Sequence, residues 1–370
     1  MTSAPVSSRR NRRTLIAIGV LVFVILVLVT ISPLRSYVTG AAITEPRSDE
    51  TSYVIAAAGD IVCSSKMQRE VQERAERLQV SDTGVPTDPR PPRTCAASAT
   101  ADLLRDLAPV AVLPLGDLQY ECGEAAEFEH SYSATWGQFK SISRPAVGNH
   151  EYGNECGHND ASGYFDYFGP AAGENGKGWY SYDIGDWHLI ALNSQCRAGR
   201  GAESVGGCGP GSEQYSWLQA DLAAHKNDCT LAYWHGPRFT SGQHGPALQM
   251  TEIWNELVAK KVDVVLSSHN HVYERFDFIG RMDPPRDPGQ DSESITETPS
   301  LDPRGIQQFV VGTGGRNHIR FKKPPVVGEV VRDDTSFGVL SMTLKPGSYD
   351  WEFVPVRGSR FQDRGSAKCR

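Results

Sequence analysis

The sequence lacks most of the short motifs that announce an enzymatic mechanism. It has no Gly-x-Ser-x-Gly nucleophile elbow, no phosphate loop ending in Gly-Lys-Ser/Thr, and no dinucleotide-binding glycine fingerprint. It lacks an excess of positive charge: 37 Lys and Arg stand against 44 Asp and Glu, a net charge of -7. That balance argues against a protein that grips long nucleic acids through a basic face. Its 8 cysteines include no Cys-x-x-Cys pair, so a cysteine-built zinc site is not expected. No internal repeat is present.

What is present begins with a segment of different character. From Thr14 to Leu34 no residue is charged, and Ile, Leu and Val dominate. That run can cross a hydrocarbon core of about 30 Å at 1.5 Å per residue. Arg9, Arg10, Arg12 and Arg13 precede it directly, and such clusters mark the cytoplasmic side. The pattern predicts a cytoplasmic basic segment at 1–13, a transmembrane signal-anchor at 14–34 and a polar linker at 35–52. The protein is then held in the cell membrane with its main domain outside. A cleaved signal peptide is the alternative, because Gly40, Ala41 and Ala42 follow the apolar run. All 8 cysteines lie beyond it, and an even number in an exported chain favours disulfides. Cys196 with Cys208 is the most natural local pair, followed by Cys63 with Cys95.

Beyond the linker, short apolar runs recur, and each stops at a polar cluster. Tyr53 to Ala58 runs into Gly59-Asp60, and Val110 to Leu115 into Gly116-Asp117. Pro145 to Val147 meets Gly148-Asn149-His150-Glu151. Leu231 to Trp234 ends at His235, and Val262 to Leu266 leads to Ser268-His269-Asn270-His271. His188 to Leu192 reads as a further strand. Helical spacing is seen at Ala99, Leu103, Leu104 and Leu107, after the capping residue Ser212, and from Leu248 to Val258. Strands alternating with helices predict a layered α/β domain over 53–356, with 357–370 as a tail. The Pro-, Asp- and Ser-rich stretches Asp82 to Arg93 and Asp283 to Arg304 read as loops.

Taken singly, a Gly-Asp after a strand is a common turn, and a lone His is more often scaffold than ligand. The series is informative: Asp60, Asp117 with Tyr120, Asn149 with His150, His235, then His269 and His271. Successive strand ends terminate in oxygen or imidazole donors, which is where α/β sheets place their sites. Two metal ions about 3.5–4 Å apart need a bridging carboxylate and several such ligands. His269 and His271 would point to opposite faces of an ideal strand, so a turn at the strand end must aim each at a different metal.

The order GD…GDxxY…GNHE…H…SHxH resembles the calcineurin-like metallophosphoesterases, and more narrowly their purple acid phosphatase branch. The resemblance runs from about Tyr53 to Val356. It implies a four-layer αββα sandwich. It also implies that Asp60, Asp117, Tyr120 and His271 hold a first metal, with Asp117 bridging to a second held by Asn149, His235 and His269. Iron is implied in the first position, with iron, zinc or manganese in the second. Two residues depart from the pattern. Val62 stands where many members have His and the purple branch usually has Gly, and Ser268 replaces the usual Gly before His-x-His. An aliphatic Val62 cannot coordinate, which fits a first site completed by Tyr120; Ser268 is small and reads as neutral.

Those ligands imply hydrolysis of phosphate monoesters, with a metal-bound hydroxide attacking phosphorus and a protonated group serving the leaving alcohol. His150 resembles the family's substrate-facing histidine, and His244 lies in a loop that carries substrate-site histidines in this branch. Glu151 reads as a hydrogen-bond partner that orients a ligand. Arg238 and Arg275 read as salt-bridging residues, and Gly312-Thr313-Gly314-Gly315 as a tight turn. His130, His158, His188, His225 and His318 match no partner pattern and read as structural or solvated. The expected substrate is a small phosphate ester. The alternatives are a phosphodiesterase or nucleotidase on the same metals, and a non-catalytic surface-binding domain of the same fold.

Overall fold

Strand β1 (Tyr53–Ala58) is the six-residue apolar run expected, and its last four residues are buried. It pairs in parallel with β2 (Ala111–Pro114) and antiparallel with β10 (Gly338–Lys345). With β11 (Ser348–Pro355) and β12 (Arg364–Lys368) these form a five-stranded sheet in the order β12-β11-β10-β1-β2. The computed structural model describes residues 51–80, 95–153, 156, 160–196, 206–282 and 299–370, with backbone only at 74–80. The membrane anchor expected at 14–34, the linker up to residue 50, the loop at 82–93, most of the loop at 283–304, and His158 lie outside the described residues. Among the described residues no helix is long and apolar enough to cross a membrane.

The second sheet has seven strands: β3 (Tyr180–Ile184), β4 (Trp187–Ala191), β5 (Cys229–Tyr233), β6 (Val264–Ser267), β7 (Tyr273–Ile279), β8 (Ile306–Val311) and β9 (Glu329–Asp333). Their order is β3-β4-β5-β6-β8-β7-β9, and β4, β5, β6 and β8 are mutually parallel. Alternation along β11 turns Tyr349, Trp351 and Phe353 towards this sheet, where they meet Trp187, Phe309 and Tyr273. The Trp187 indole N–H donates to the Lys345 carbonyl, and the Tyr349 hydroxyl to Gln307 Oε1. The two sheets therefore pack face to face over one apolar core. The helix Ala97–Leu107 packs on the five-stranded sheet against β1 and β10. The helix Glu213–Ala224 is capped by the Ser212 hydroxyl as expected, and its Asp221 accepts from Ser181 on β3.

Two expectations need correction. Pro145–Val147 is not a strand. It runs beside β2 through isolated bridges at Ser143 and Ala146, because Pro145 has no N–H to continue a ladder. The segment 357–370 is not a tail: β12 pairs with β11 along its whole length, and one compact unit runs from Asp49 to Arg370. Both expected disulfides, Cys63–Cys95 and Cys196–Cys208, are formed. Cys122–Cys156 and Cys229–Cys369 complete the set, the last tying the residue after β12 to the start of β5.

Candidate metal centre

Two parallel pairs of strands, β1 with β2 in one sheet and β5 with β6 in the other, deliver their carboxyl ends to one place. β1 delivers Asp60, β2 Asp117, β5 His235, and β6 both His269 and His271. The chain must turn sharply there. Asp60, Asp117 and His269 all adopt left-handed backbone, with φ of 57°, 50° and 67°. Such conformations cost of order 1–3 kcal/mol each in non-glycine residues and persist only where surroundings fix them. Backbone bonds from Asp60 and Ile61 to Gly116 and Asp117 lock the first two turns together. Gly116 shows why no side chain is tolerated between them: its φ is +87°, and a Cβ would lie 2.6 Å from the His235 ring.

Seven donors converge in two groups that share one atom. On one side the Tyr120 hydroxyl lies 2.8 Å from Asp60 Oδ1 and 3.0 Å from His271 Nε2, and His271 Nε2 lies 3.4 Å from Asp60 Oδ1. On the other, His235 Nε2 lies 3.1 Å from both Asn149 Oδ1 and His269 Nδ1. Asp117 Oδ2 stands between them, 3.2 Å from the Tyr120 hydroxyl and 3.1 Å from His235 Nε2. His269 and His271 thus serve opposite groups, as the left-handed turn after β6 requires.

The donor set has more lone pairs than protons. His235 Nδ1 faces the Leu115 carbonyl at 3.0 Å and His271 Nδ1 faces the Asn317 carbonyl at 2.7 Å, so each ring donates there and offers Nε2 as a lone pair. Yet His235 Nε2 is surrounded by three further acceptors, and Asp60 Oδ2 is fully buried without a hydrogen-bond partner. Convergent acceptors without hydrogens repel one another unless a cation sits among them. Asp117, His235 and His269 each offer a ligand atom within 4.8 Å of the others, so the residues fit a metal. Without a cation a proton takes its place. Burial opposes charge on His235, but Asp117 outweighs it and lifts that pKa to about 9. Burial pushes Asp60 up to about 7, and it drives His271 down to about 3, leaving that ring neutral.

Two groups sit beside the donors. His150 donates its backbone N–H to Asp117 Oδ1 at 2.9 Å, and its ring bonds the Glu121 carbonyl through Nδ1, leaving Nε2 at 3.9 Å from Asp117 Oδ2. The exposed His244 ring lies 4.9 Å from that of His269 and 5.8 Å from that of His271. Glu151 is buried behind the site, where its carboxylate accepts the N–H groups of Asp117, Leu118, Gln119 and Gly148. It fixes the loops that carry Asp117 and Asn149.

Some contributors escaped sequence reasoning. Ser268, read as neutral, donates to the Leu115 carbonyl at 2.5 Å and lies 3.0 Å from His235 Nδ1, so it helps hold that ring. Arg316 lies 4.6 Å over the Tyr120 ring and pairs with Glu121 at 2.8 Å. Both it and Asn317 follow the Gly312–Gly315 turn. Gly314 in that turn and Arg316 just after it donate their N–H groups to the Gly59 and Asp60 carbonyls, so the segment braces the end of β1 as a tight turn. Arg275 pairs with Asp363, and Arg238 is buried and donates to Thr251. His318 bonds the His271 carbonyl and stacks on Phe337.

The model of the calcineurin-like phosphoesterase family matches residues 54–273, more than half of the chain. The chain belongs to that family, and within it is similar to the purple acid phosphatases. Purple acid phosphatase 22 of Arabidopsis thaliana is 30% identical over 175 residues, covering 43% of this chain and 32% of that protein. The matched part thus spans about a third of that relative. A purple acid phosphatase structure from yellow lupin seeds superposes with a TM-score of 0.60 at 18% identity, covering 86% of this chain and 54% of that one. GAP50, described as the anchor in the inner membrane complex of Plasmodium, superposes with a TM-score of 0.51 at 10% identity over 86% of this chain and 89% of its own. These two structural likenesses establish the fold alone.

Proposed function

We propose that this chain hydrolyses phosphate esters, monoesters above all, at a pair of metal ions on the outer face of a cell membrane. The observation that carries the reading is the place of Asp117 Oδ2, within 3.2 Å of one donor group and 3.1 Å of the other. A carboxylate oxygen so placed is suited to bridge two cations. Asp60, Tyr120 and His271 would hold the first, and Asn149, His235 and His269 the second. Bound there, the ions would supply charge neutralisation for phosphoryl oxygens and a water acidified towards neutral pH.

The chain's own groups would do the rest. His150 Nε2 faces the site while its Nδ1 is anchored on Glu121, so the ring is aimed to give a proton to the departing alcohol. His244, at the open side, is placed to bind a phosphoryl oxygen. Burial, then Asp117 and Asp60, hold the Tyr120 hydroxyl well above its ordinary pKa. Only a strongly charged cation would remove that proton, which favours trivalent iron in the first position, with iron, zinc or manganese in the second. The charge-free run at 14–34 behind four arginines supports the membrane anchor. Four disulfides support an oxidising compartment.

Metal analysis and a visible spectrum of the purified protein, with hydrolysis of a monoester beside a diester, test the proposal. The expected result is two ions in this centre, an absorption band from tyrosinate on iron, and faster monoester hydrolysis. Faster diester hydrolysis would assign a diesterase on the same centre. Near-zero metal with no hydrolysis would leave a non-catalytic binding domain, in keeping with a fold that also superposes on an anchor protein.

A further inference from the structure

On the phosphoesterase reading of the centre, we propose that Asn270 is a positioning residue for His244: it seats the loop from which that histidine reaches the substrate. His244 is exposed, and a side chain on a loop is aimed only as well as the backbone beneath it is held. Its ring stands 4.9 Å from that of His269 and 5.8 Å from that of His271. The loop that carries it is closed at its base, where the Ala247 N–H donates to the Pro237 carbonyl at 2.7 Å.

Asn270 meets that loop from between the two ligand histidines. It is buried, and its Oδ1 accepts the His244 backbone N–H at 2.9 Å. The loop presses closely on it: a Cβ on Gly242 would lie 2.2 Å from Asn270 Oδ1, so glycine alone fits there without a shift. Asn270 is itself held by its backbone. Its N–H donates to the Ser268 carbonyl at 2.7 Å, and its carbonyl accepts the Val272 N–H at 2.6 Å. Through these two tight turns His269 and His271 face the donor groups while Asn270 faces the loop.

Glu274 on β7 adds a second hold. Its buried carboxylate accepts the Thr240 hydroxyl at 2.5 Å and the Ser241 N–H at 2.6 Å, and Thr240 Oγ1 accepts the Gly242 N–H at 2.9 Å. Residues 240–242 are thus tied to β7, and His244 to the turn before it. Asn270 is the nearer hold, since it bonds the peptide N–H of His244 itself. A group that binds a phosphoryl oxygen holds ground state and transition state alike, so loosening it raises KM more than it lowers kcat.

Asn270→Ala, His244→Ala and the double variant are compared with the parent as metal-loaded, full-length protein, with thermal unfolding and a metal count for each. Asn270→Leu, which keeps the branched shape and removes the acceptor, takes the place of Asn270→Ala if that chain does not fold. The expected result is a KM for a phosphate monoester raised about tenfold in Asn270→Ala, with kcat and metal content within about twofold of the parent. The double variant should be no worse than His244→Ala. An unchanged KM overturns the proposal, and so does a lost metal ion. Losses that add in the double variant also overturn it, since Asn270 would then act apart from His244. Amide exchange over residues 240–245, measured without substrate, should quicken in Asn270→Ala and not in His244→Ala. If the parent itself hydrolyses no ester, the phosphoesterase reading fails, and unchanged exchange is then what overturns the hold of Asn270 on this loop.

Discussion

Two clusters of imidazole and carboxylate, one past the carboxyl ends of β1, β2, β5 and β6 and the other near the opposite end of the seven-stranded sheet at β3, β4 and the end of the helix Glu213–Ala224, are built on different principles. At the carboxyl ends, three of the donors sit on left-handed backbone, and a buried carboxylate oxygen, Asp60 Oδ2, has no hydrogen-bond partner. At the other end, Asp183, His188 and His225 sit on ordinary strand and helix-end backbone, and one added proton on His188 satisfies both neighbouring carboxylates. The first cluster leaves a buried acceptor without a partner, whereas in the second one proton closes the network. The first arrangement therefore suits cations, and the second is a histidine held between two carboxylates. Local strain and an excess of lone pairs, rather than the mere nearness of His and Asp, separate a candidate metal centre from a structural ion pair.

The sharpest way to break this contrast is Asp117→Asn. Loss of the shared charge should lower monoester hydrolysis by about 10³-fold or more, since several kcal/mol of transition-state stabilisation are at stake and each 1.4 kcal/mol is tenfold. Metal content measured alongside should fall. If hydrolysis persists, Asp117 does not join two ions. His150→Gln should leave metal content intact and slow hydrolysis by roughly 10²-fold. The loss should be greater for alkyl phosphates than for nitrophenyl phosphate, whose leaving group needs no proton. An equal loss for both would remove His150 from the protonation step.

Glu151→Gln tests the support behind the ligands. Glutamine turns an N–H group towards backbone donors that the carboxylate accepted, at Asp117, Leu118, Gln119 and Gly148. Metal affinity should fall by about 10–100-fold. Stability should fall by about 1–3 kcal/mol, read from denaturant unfolding of the metal-free protein. Unchanged affinity with lowered stability would make Glu151 a purely structural residue.

How far the sequence carried these readings depended on the kind of signal. The converging side chains were legible because parallel strands put successive carboxyl ends at one edge, so Asp60, Asp117, His235 and His269 meet wherever the sheets close. The geometry that aims them was not: nothing local in Ser-His-Asn-His foretells φ of 67° at His269. Alternation failed at β12, whose Arg-Gly-Ser-Ala-Lys has no apolar face because it is an edge strand held by β11 and by Cys369. The helix Ser65–Val80 also escaped, because its apolar stripe of Met67, Val71, Ala75 and Leu78 is one residue wide among charged and amide side chains. Pro145 marks the opposite case, an apolar run that lies beside β2 without joining its ladder. His188 and His225 were unreadable because their partners, Asp183 and Asp221, come from a hairpin and a helix face that meet only in the fold.

Ser268 gives the smallest expected effect at the phosphoesterase centre and the finest test of it. Its hydroxyl lies 3.0 Å from His235 Nδ1 and 2.5 Å from the Leu115 carbonyl, which His235 Nδ1 also approaches to 3.0 Å. The ring therefore has two oxygen neighbours on its outer side. Ser268→Gly removes one and leaves the carbonyl, so the tautomer should survive while the ring gains freedom. Metal affinity should drop by about tenfold, at the low end of what orienting partners contribute, with turnover at saturating metal unchanged. The hydroxyl also approaches within 2.2 Å of where a Cβ on Gly59 would stand. Gly59→Ala should thus be disruptive in the parent and milder beside Ser268→Gly, and equal losses in both backgrounds would show that Ser268 does not set the spacing between β1 and β6.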